Sequence, residues 1–415
     1  MLTKLLSIIT TRSFKPFKFT DNYSNELEYE NLDIGLYVHI PFCEKICSFC
    51  PYSKQIMNQE LAERYEEALL MEIDLVSKSH EGKKKVTSLY FGGGTPSLMI
   101  DSLGEIIDKM KTKYIITEGI GVELHPEDIS EGVLSELKRI GVTMVSIGFQ
   151  SFNNELLNNI GRSETDFIDK LKLVNDFKFD VVDVDLIFAL PGQTKDMLTS
   201  DFLTAFENGA TQVSTYPFID FTFTDNKKPP LSKKMKKDML KHLAKLNVEM
   251  NLDRTSVWTF AKKETDKYSS VTRDSFLGFG TSATTLLKKE FKINTFSIEG
   301  YINRIKNNQL PTSLTLDFSL RQRAVYFLFW NAYGLHIHKD DYEGLLGKSL
   351  STMYGFEFLL ARLFGYVKKV DSGYILTSKG ANIYHSIEQV FTHAYIDKMW
   401  NISRVTPFPK SITLL

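Results

Sequence analysis

Between residues 36 and 217, short β-rich runs alternate with helical patterns, and this alternation restricts the fold more than any other feature of the 415-residue chain. The predicted strands are 36–42, 86–91, 121–124, 143–149, 181–190 and 212–217. The predicted helices are 59–79, 98–114, 127–140, 163–177 and 195–208, each with apolar residues at helical spacing. Strand and helix repeated in this order predict a parallel sheet covered by helices. Ligands of such sheets gather at the carboxyl ends of the strands, so the six strand ends define one candidate rim.

The flanking regions read differently. A polar, mobile leader is expected over 1–33, a core over 34–290 and an accessory or lid domain over 291–415. Lys227-Lys-Pro-Pro230 interrupts the pattern, and a helix restarts over 231–243 with Ser232 as N-cap and Met235, Met239, Leu240 and Leu243 on one face. Its lysines read as a solvated face rather than a site for an anionic partner. Helices are expected at 320–333, 350–364 and 383–400, with a hairpin at 366–376 turning on Asp371-Ser-Gly373. That order resembles a winged helix, read here as a lid or docking element because it lacks a basic recognition face. A net charge of −1 supports no nucleic-acid partner. The apolar run Leu5–Ile9 is too short for a signal sequence or a membrane span, so a cytoplasmic chain without a membrane partner is expected.

All three cysteines fall in one window, Cys43-Glu-Lys-Ile-Cys47-Ser-Phe-Cys50, directly after the first predicted strand. Three cysteines cannot pair fully, and this spacing suits a metal centre in a reducing compartment. Soft thiolates favour zinc, Cu(I) or iron–sulfur clusters, and a four-iron cluster on three protein thiolates leaves one iron open. Structural zinc needs a fourth ligand, for which His39 is the nearby histidine, although it points away from Val38 and Ile40. Ordinary buried cysteines are the third possibility.

Other chemistry-bearing residues sit at the predicted strand ends. Gly92-Gly-Gly-Thr95 follows the second strand and reads either as a tight turn or as a backbone cradle for a ligand. Glu123, Asp183 and Asp185 are carboxylates inside apolar strands, which are costly to bury unless they meet a partner. Asp183 and Asp185 share one face, and one of the two is expected to reach a ligand. Gln150 and Arg162 add an amide and a planar guanidinium suited to carboxylate or ribose groups. Aromatic residues in Ser256-Val-Trp-Thr-Phe260 and Asn294-Thr-Phe296 read as core packing before substrate stacking.

The order of these motifs carries a resemblance. Tyr37-Val-His-Ile-Pro-Phe-Cys43 with Cys-x3-Cys-x2-Cys, Tyr90-Phe-Gly-Gly-Gly-Thr-Pro96, Ser146-Ile-Gly-Phe-Gln-Ser-Phe152, Gly161-Arg162, Asp185-Leu-Ile-Phe-Ala-Leu-Pro-Gly-Gln-Thr194 and Leu277-Gly-Phe-Gly-Thr-Ser-Ala283 resemble the radical S-adenosylmethionine enzymes. More narrowly, they resemble the branch of oxygen-independent coproporphyrinogen III oxidase, with its haem-chaperone and class C methyltransferase relatives. The resemblance spans roughly residues 34–290.

What it implies is an incomplete TIM-like parallel (β/α)6 barrel with a mainly helical, winged-helix-like C-terminal domain over its open side. It also implies a [4Fe-4S] cluster on Cys43, Cys47 and Cys50, one or two S-adenosylmethionine molecules, a small-molecule substrate, and an electron donor such as flavodoxin or ferredoxin. Tyr37, Gly93 and Glu123 match positions holding the first cofactor molecule; Phe49, Gly94, Thr95, Gln150, Arg162 and Asp185 match positions lining a second. Two departures matter. Pro51-Tyr52 stands where the oxidase carries a further cysteine, and Lys267-Tyr-Ser-Ser-Val-Thr-Arg273 stands where haem chaperones carry a His-Asn-x-x-Tyr-Trp stretch. The expectation is therefore radical methyl transfer to an aromatic or porphyrin-like substrate, with oxidative decarboxylation and haem chaperoning as alternatives.

Overall fold

The computed structural model describes residues 2–13, 15–162, 166–226, 228–266 and 274–414. All six predicted strands form: β1 Gly35–Ile40, β2 Lys84–Gly93, β3 Tyr114–Leu124, β4 Met144–Gln150, β5 Val181–Phe188 and β6 Gln212–Pro217. They pair in parallel in chain order. A strand not foreseen, β7 Phe276–Phe279, pairs in parallel with the outer side of β1. The covering helices are α1 Gln59–Ser77, α2 Ile100–Lys113, α3 Glu131–Arg139, α4 Phe167–Asp176 and α5 Lys195–Glu207. Residues 163–165, with which α4 was expected to begin, lie outside the described residues.

Local chemistry sets these boundaries. Asn58, Ser130 and Thr194 each accept a hydrogen bond from the backbone N–H three residues on, starting α1, α3 and α5. Helix α3 therefore starts at Glu131 rather than 127. Strand β3 begins at Tyr114, earlier than its apolar run suggests, because 114–116 pair with 84–86 before a bulge near Gly119. Leu36, Val38, Leu89, Phe91, Val122, Val145, Ile147 and Val184 share one face of the sheet and are all buried.

The sheet does not close. Beyond β7 it continues through strands Thr284–Leu286, Glu290–Asn294, Thr312–Asp317, Phe17–Thr20 and Ser411–Leu414. At the other edge, Thr259–Ala261 pairs antiparallel with β6. The result is an incomplete α/β barrel within a 14-stranded sheet. Two expectations change here. The leader contributes Phe17–Thr20, which pairs with Ser411–Leu414, and the boundary expected after residue 290 falls inside a strand. Backbone pairing drew both segments into the sheet, whose edge offered unpaired N–H and C=O groups.

Past the barrel lies α6, Lys233–Glu249, capped by Ser232. Met239, Leu240 and Leu243 are buried as predicted, but Met235 is exposed. Lys236 takes the inward position instead, its ammonium donating to the Phe218 carbonyl at the end of β6. An acceptor lies under that turn of helix, so a long stem with a polar head fits where a thioether would leave the carbonyl bare.

The C-terminal part contains α7 Leu320–Tyr333, strand His336–His338, α8 Lys339–Leu346, α9 Leu350–Leu363 and the hairpin Val367–Val370/Gly373–Leu376. These make a winged-helix-like unit with its own core of Phe327, Tyr342, Leu350 and Phe358. Residues 378–405, predicted as one helix over 383–400, form α10 Ser378–Phe391 and α11 Asp397–Val405 joined through one π-helical turn. Among the described residues no helix is long and apolar enough to cross a membrane.

Gly278 of β7 offers a test of this architecture. A Cβ there would lie 2.2 Å from the Thr284 carbonyl oxygen, in backbone fixed by pairing on both sides. Gly278→Ala should therefore lose about 2–3 kcal/mol of stability in urea unfolding, as overpacking against immobile backbone does.

Candidate functional site

Strand β1 leads directly into the cysteine window. Residues 42–43 pair in parallel with 55–56, and the Met57 N–H donates to the Cys43 carbonyl, so the window is a loop closed on itself. The loop is held against the end of β2. The N–H groups of Gly94 and Thr95 donate to the Ile40 and Phe42 carbonyls, both at 2.7 Å. A Cβ on Gly94 would meet Phe42 O at 2.5 Å, Ile40 O at 2.9 Å and Cys43 Sγ at 3.0 Å. Only glycine admits this approach. The Gly93 N–H donates to Glu123 Oε2 at 3.0 Å, so three N–H groups of the glycine run are engaged within the protein. Of the two readings open for this run, the turn that lets backbones meet describes it better than a cradle of free donors.

The thiols are poor free nucleophiles. Burial pushes Cys43 up to about 11 and raises Cys50 as well. Binding to a soft metal centre would displace those protons. The Arg162 Nε–H donates to Cys47 Sγ at 3.2 Å and Nη1–H to the Gly148 carbonyl at 3.0 Å, with the guanidinium 5.9 Å from the Phe49 ring.

His39 is committed elsewhere. Its Nε2–H donates to the Ser53 carbonyl at 2.9 Å, and Nδ1 accepts from Tyr37 OH at 3.0 Å. Both ring nitrogens are thus used, and no set of three or more His, Cys, Asp or Glu side chains among the described residues is gathered closely enough for one metal ion. With His39 engaged, the three thiols lack the fourth protein ligand of a structural zinc site, whereas a four-iron cluster can take three thiolates at separate irons. The donor set fits the cluster.

The remaining rim residues lie on neighbouring strands. Glu123 on β3 accepts from Tyr90 OH and Gly93 N–H, both at 3.0 Å, and burial raises its pKa. On β5, Asp183 is the inner carboxylate. Its Oδ2 accepts from Gln212 and Ser214, and burial pushes it up to about 6. Asp185 is half-buried, accepts from Ser146 Oγ at 2.9 Å, and is raised first by burial, then by the charges of Asp183 and Glu123. Of the pair, Asp185 is the more exposed. Gln150 ends β4 at a bulge with φ of 70° and folds back over Gly148.

Sequence reasoning gave Tyr216 no role and read Tyr52 only as a departure from the oxidase. Tyr52 and Tyr216 leave 50% and 40% of their surfaces open, yet both phenols are raised by burial. Both rings thus keep part of their surface open while their hydroxyls sit among protein groups. The carboxylates of Glu123 and Asp185 raise Tyr52 further, and Asp185 does the same for Tyr216. Trp258 stands edge-on to Tyr216 and Tyr333, its indole N–H donating to His385 Nδ1 at 3.2 Å. Phe260 packs in the core against Phe202, as the bland reading expected. A separate cavity of about 400 Å³ lies among Glu30, His80, Lys84 and Lys85, at the amino ends of the strands and away from this rim.

The radical SAM superfamily model matches residues 37–203, which carry the cysteine loop and five of the rim strands. Residues 37–203 thus carry a radical SAM domain. That superfamily implies a [4Fe-4S] cluster and S-adenosylmethionine. The heme chaperone HemW of Bacillus subtilis is 25% identical over 83% of this chain and 95% of its own length. An oxygen-independent coproporphyrinogen III oxidase of Cereibacter sphaeroides is 26% identical, with 67% of this chain and 68% of the relative covered. In fold, the radical SAM chain matches Escherichia coli coproporphyrinogen III oxidase HemN with a TM-score of 0.76 at 20% identity, covering 94% of this chain and 98% of that one. These relatives belong to the branch that the motifs suggested. The stretch 267–273, where the chaperones' histidine motif is missing, lies outside the described residues.

The His39 geometry sets a pH dependence. Burial lowers its pKa from 6.5 to about 4. Its contribution to stability is thus complete above pH 6.5 and is lost as pH falls through about 4, a total of about 3 kcal/mol. Urea unfolding of His39→Gln should lack this slope between pH 6.5 and 4. At the other wall of the loop, Gly94→Ala should lower bound iron per chain after anaerobic reconstitution, without loss of the helical circular dichroism signal.

Proposed function

We propose that this radical SAM protein oxidises a propionate-bearing tetrapyrrole at the rim beside its cysteine loop. The carrying observation is that the rim's phenols and carboxylates, Tyr52, Tyr216 and Asp185, sit within electrostatic reach of one another and, through Tyr52, of Cys50. Relatives named for tetrapyrrole chemistry support the substrate class. Methyl transfer, expected from Pro51-Tyr52, draws no support from the names of those relatives.

In this reading Cys43, Cys47 and Cys50 hold the cluster. Tyr37, Gly93 and Glu123 hold the first S-adenosylmethionine, with the Glu123 carboxylate facing its ammonium group. Phe49, Gly94, Thr95, Gln150, Arg162 and Asp185 line the place of a second. Gly94 and Thr95 act by letting the loop approach, since their N–H groups already have partners. When bound and reduced by a flavodoxin or ferredoxin, the cluster and S-adenosylmethionine supply a 5′-deoxyadenosyl radical. Hydrogen abstraction from a propionate β-carbon, followed by loss of CO2 and of one electron to an oxidised one-electron carrier, leaves a vinyl group. The enclosing walls keep solvent-borne hydrogen donors from that radical.

The near full-length alignment with a heme chaperone favours a second reading, haem binding without turnover. Anaerobic incubation of reconstituted, reduced protein with S-adenosylmethionine and coproporphyrinogen III separates the readings. The oxidase reading expects 5′-deoxyadenosine and a product lighter by CO2 and two hydrogens' mass, both lost in Asp185→Asn. A product gaining a methyl group, with S-adenosylhomocysteine, would replace it with methyl transfer; stoichiometric haem binding and no product would favour the chaperone.

A further inference from the structure

The last helix reaches back to the cysteine loop. Asp397, Trp400 and Arg404 lie at i, i+3 and i+7, one face of α11. Asp397 Oδ1 accepts from the Thr222 N–H at 3.0 Å and its hydroxyl at 2.9 Å. The Trp400 ring lies 6.0 Å from Tyr52 and stacks on Phe221 at 6.1 Å. Arg404 goes furthest, its Nη2–H donating to the Pro51 carbonyl, one residue past Cys50. The guanidinium is held between aromatic faces, 4.4 Å from Phe223 and 5.4 Å from Phe296. Its Nε–H is buried with no partner among the described residues. Among the described residues no carboxylate is paired with this cation.

Arg404 is half-buried, and a cation partly withdrawn from water without a counter-ion is costly unless something supplies negative charge. The third thiolate's carrier loop is what Arg404 touches. We propose that Arg404 is a positioning residue for the cluster: it fixes the backbone after Cys50 and sets a permanent positive charge beside the Cys50 corner, making reduction easier. This rests on the radical SAM reading of the cysteines. It is independent of the substrate. A nearby positive charge favours the more negative, reduced state of a thiolate-ligated cluster, as net charge and hydrogen bonding to sulfur tune such potentials.

The test is anaerobic redox titration of the reconstituted full chain, followed by electron paramagnetic resonance, for wild type, Arg404→Gln, Arg404→Lys and Asp397→Asn. Failure of the wild type to bind iron and sulfide would sink the radical SAM reading itself. Given a wild-type cluster, Arg404→Gln should be about tenfold harder to reduce, a shift of about 59 mV to more negative potential. Arg404→Lys should recover most of that shift. Asp397→Asn, which loosens the same helix but keeps the charge, should leave the potential in place. An unchanged potential in Arg404→Gln, or an equal shift in Asp397→Asn, overturns the proposal. If Arg404→Gln folds but cannot hold a cluster, retention in Arg404→Lys supports the charge assignment, and loss from both refutes it.

Discussion

Two backbone hydrogen bonds fix the position of everything else at the rim. Gly94 and Thr95 donate to the carbonyls of Ile40 and Phe42, tying the end of β2 to the chain just before the first cysteine. The parallel sheet supplies the rigid base, because β1 and β2 are paired in register up to Ile40 and Gly93. A glycine at 94 is the condition for the contact. The cysteine loop is thereby held by strands rather than by its own weak propensities, which is how a loop can present ligands with fixed geometry.

Polar groups inside the barrel follow from the same arrangement. Parallel strands buried on both faces leave little room for charge, and each inward carboxylate here has identified donors: Tyr90 and Gly93 for Glu123, Ser146 for Asp185, Gln212 and Ser214 for Asp183. Those donors come from strands adjacent in the sheet, so the acid wall is a property of strand order. Burial raises all three pKa values, and mutual repulsion adds to it at Asp185. A cationic ligand group entering the rim would relieve that repulsion as well as form contacts.

The parallel half of the fold was legible because its strands are continuous apolar runs, in which Glu123 and Asp185 stand out as exceptions. The cysteine spacing was equally plain. Less legible were the short strands between 276 and 317, three to six residues each, whose pairing is decided by neighbours distant in sequence. Met235 and Lys236 were misjudged for a related reason: helical spacing does not reveal a carbonyl waiting under one turn. Trp400 and Arg404 carry no motif, and only tertiary contact brings them to Tyr52 and Pro51.

Strand Phe17–Thr20 lies between Thr312–Asp317 and Ser411–Leu414, so one sheet edge joins segments almost four hundred residues apart. Contacts of such separation form late, since loop closure must precede any gain from pairing. On a ribosome the barrel strands emerge before residues 397–405, so the cysteine loop lacks Trp400 and Arg404 in that interval. The contact between Arg404 and the Pro51 carbonyl, 353 residues apart in sequence, is therefore among those that complete the cysteine loop only after the barrel strands have paired.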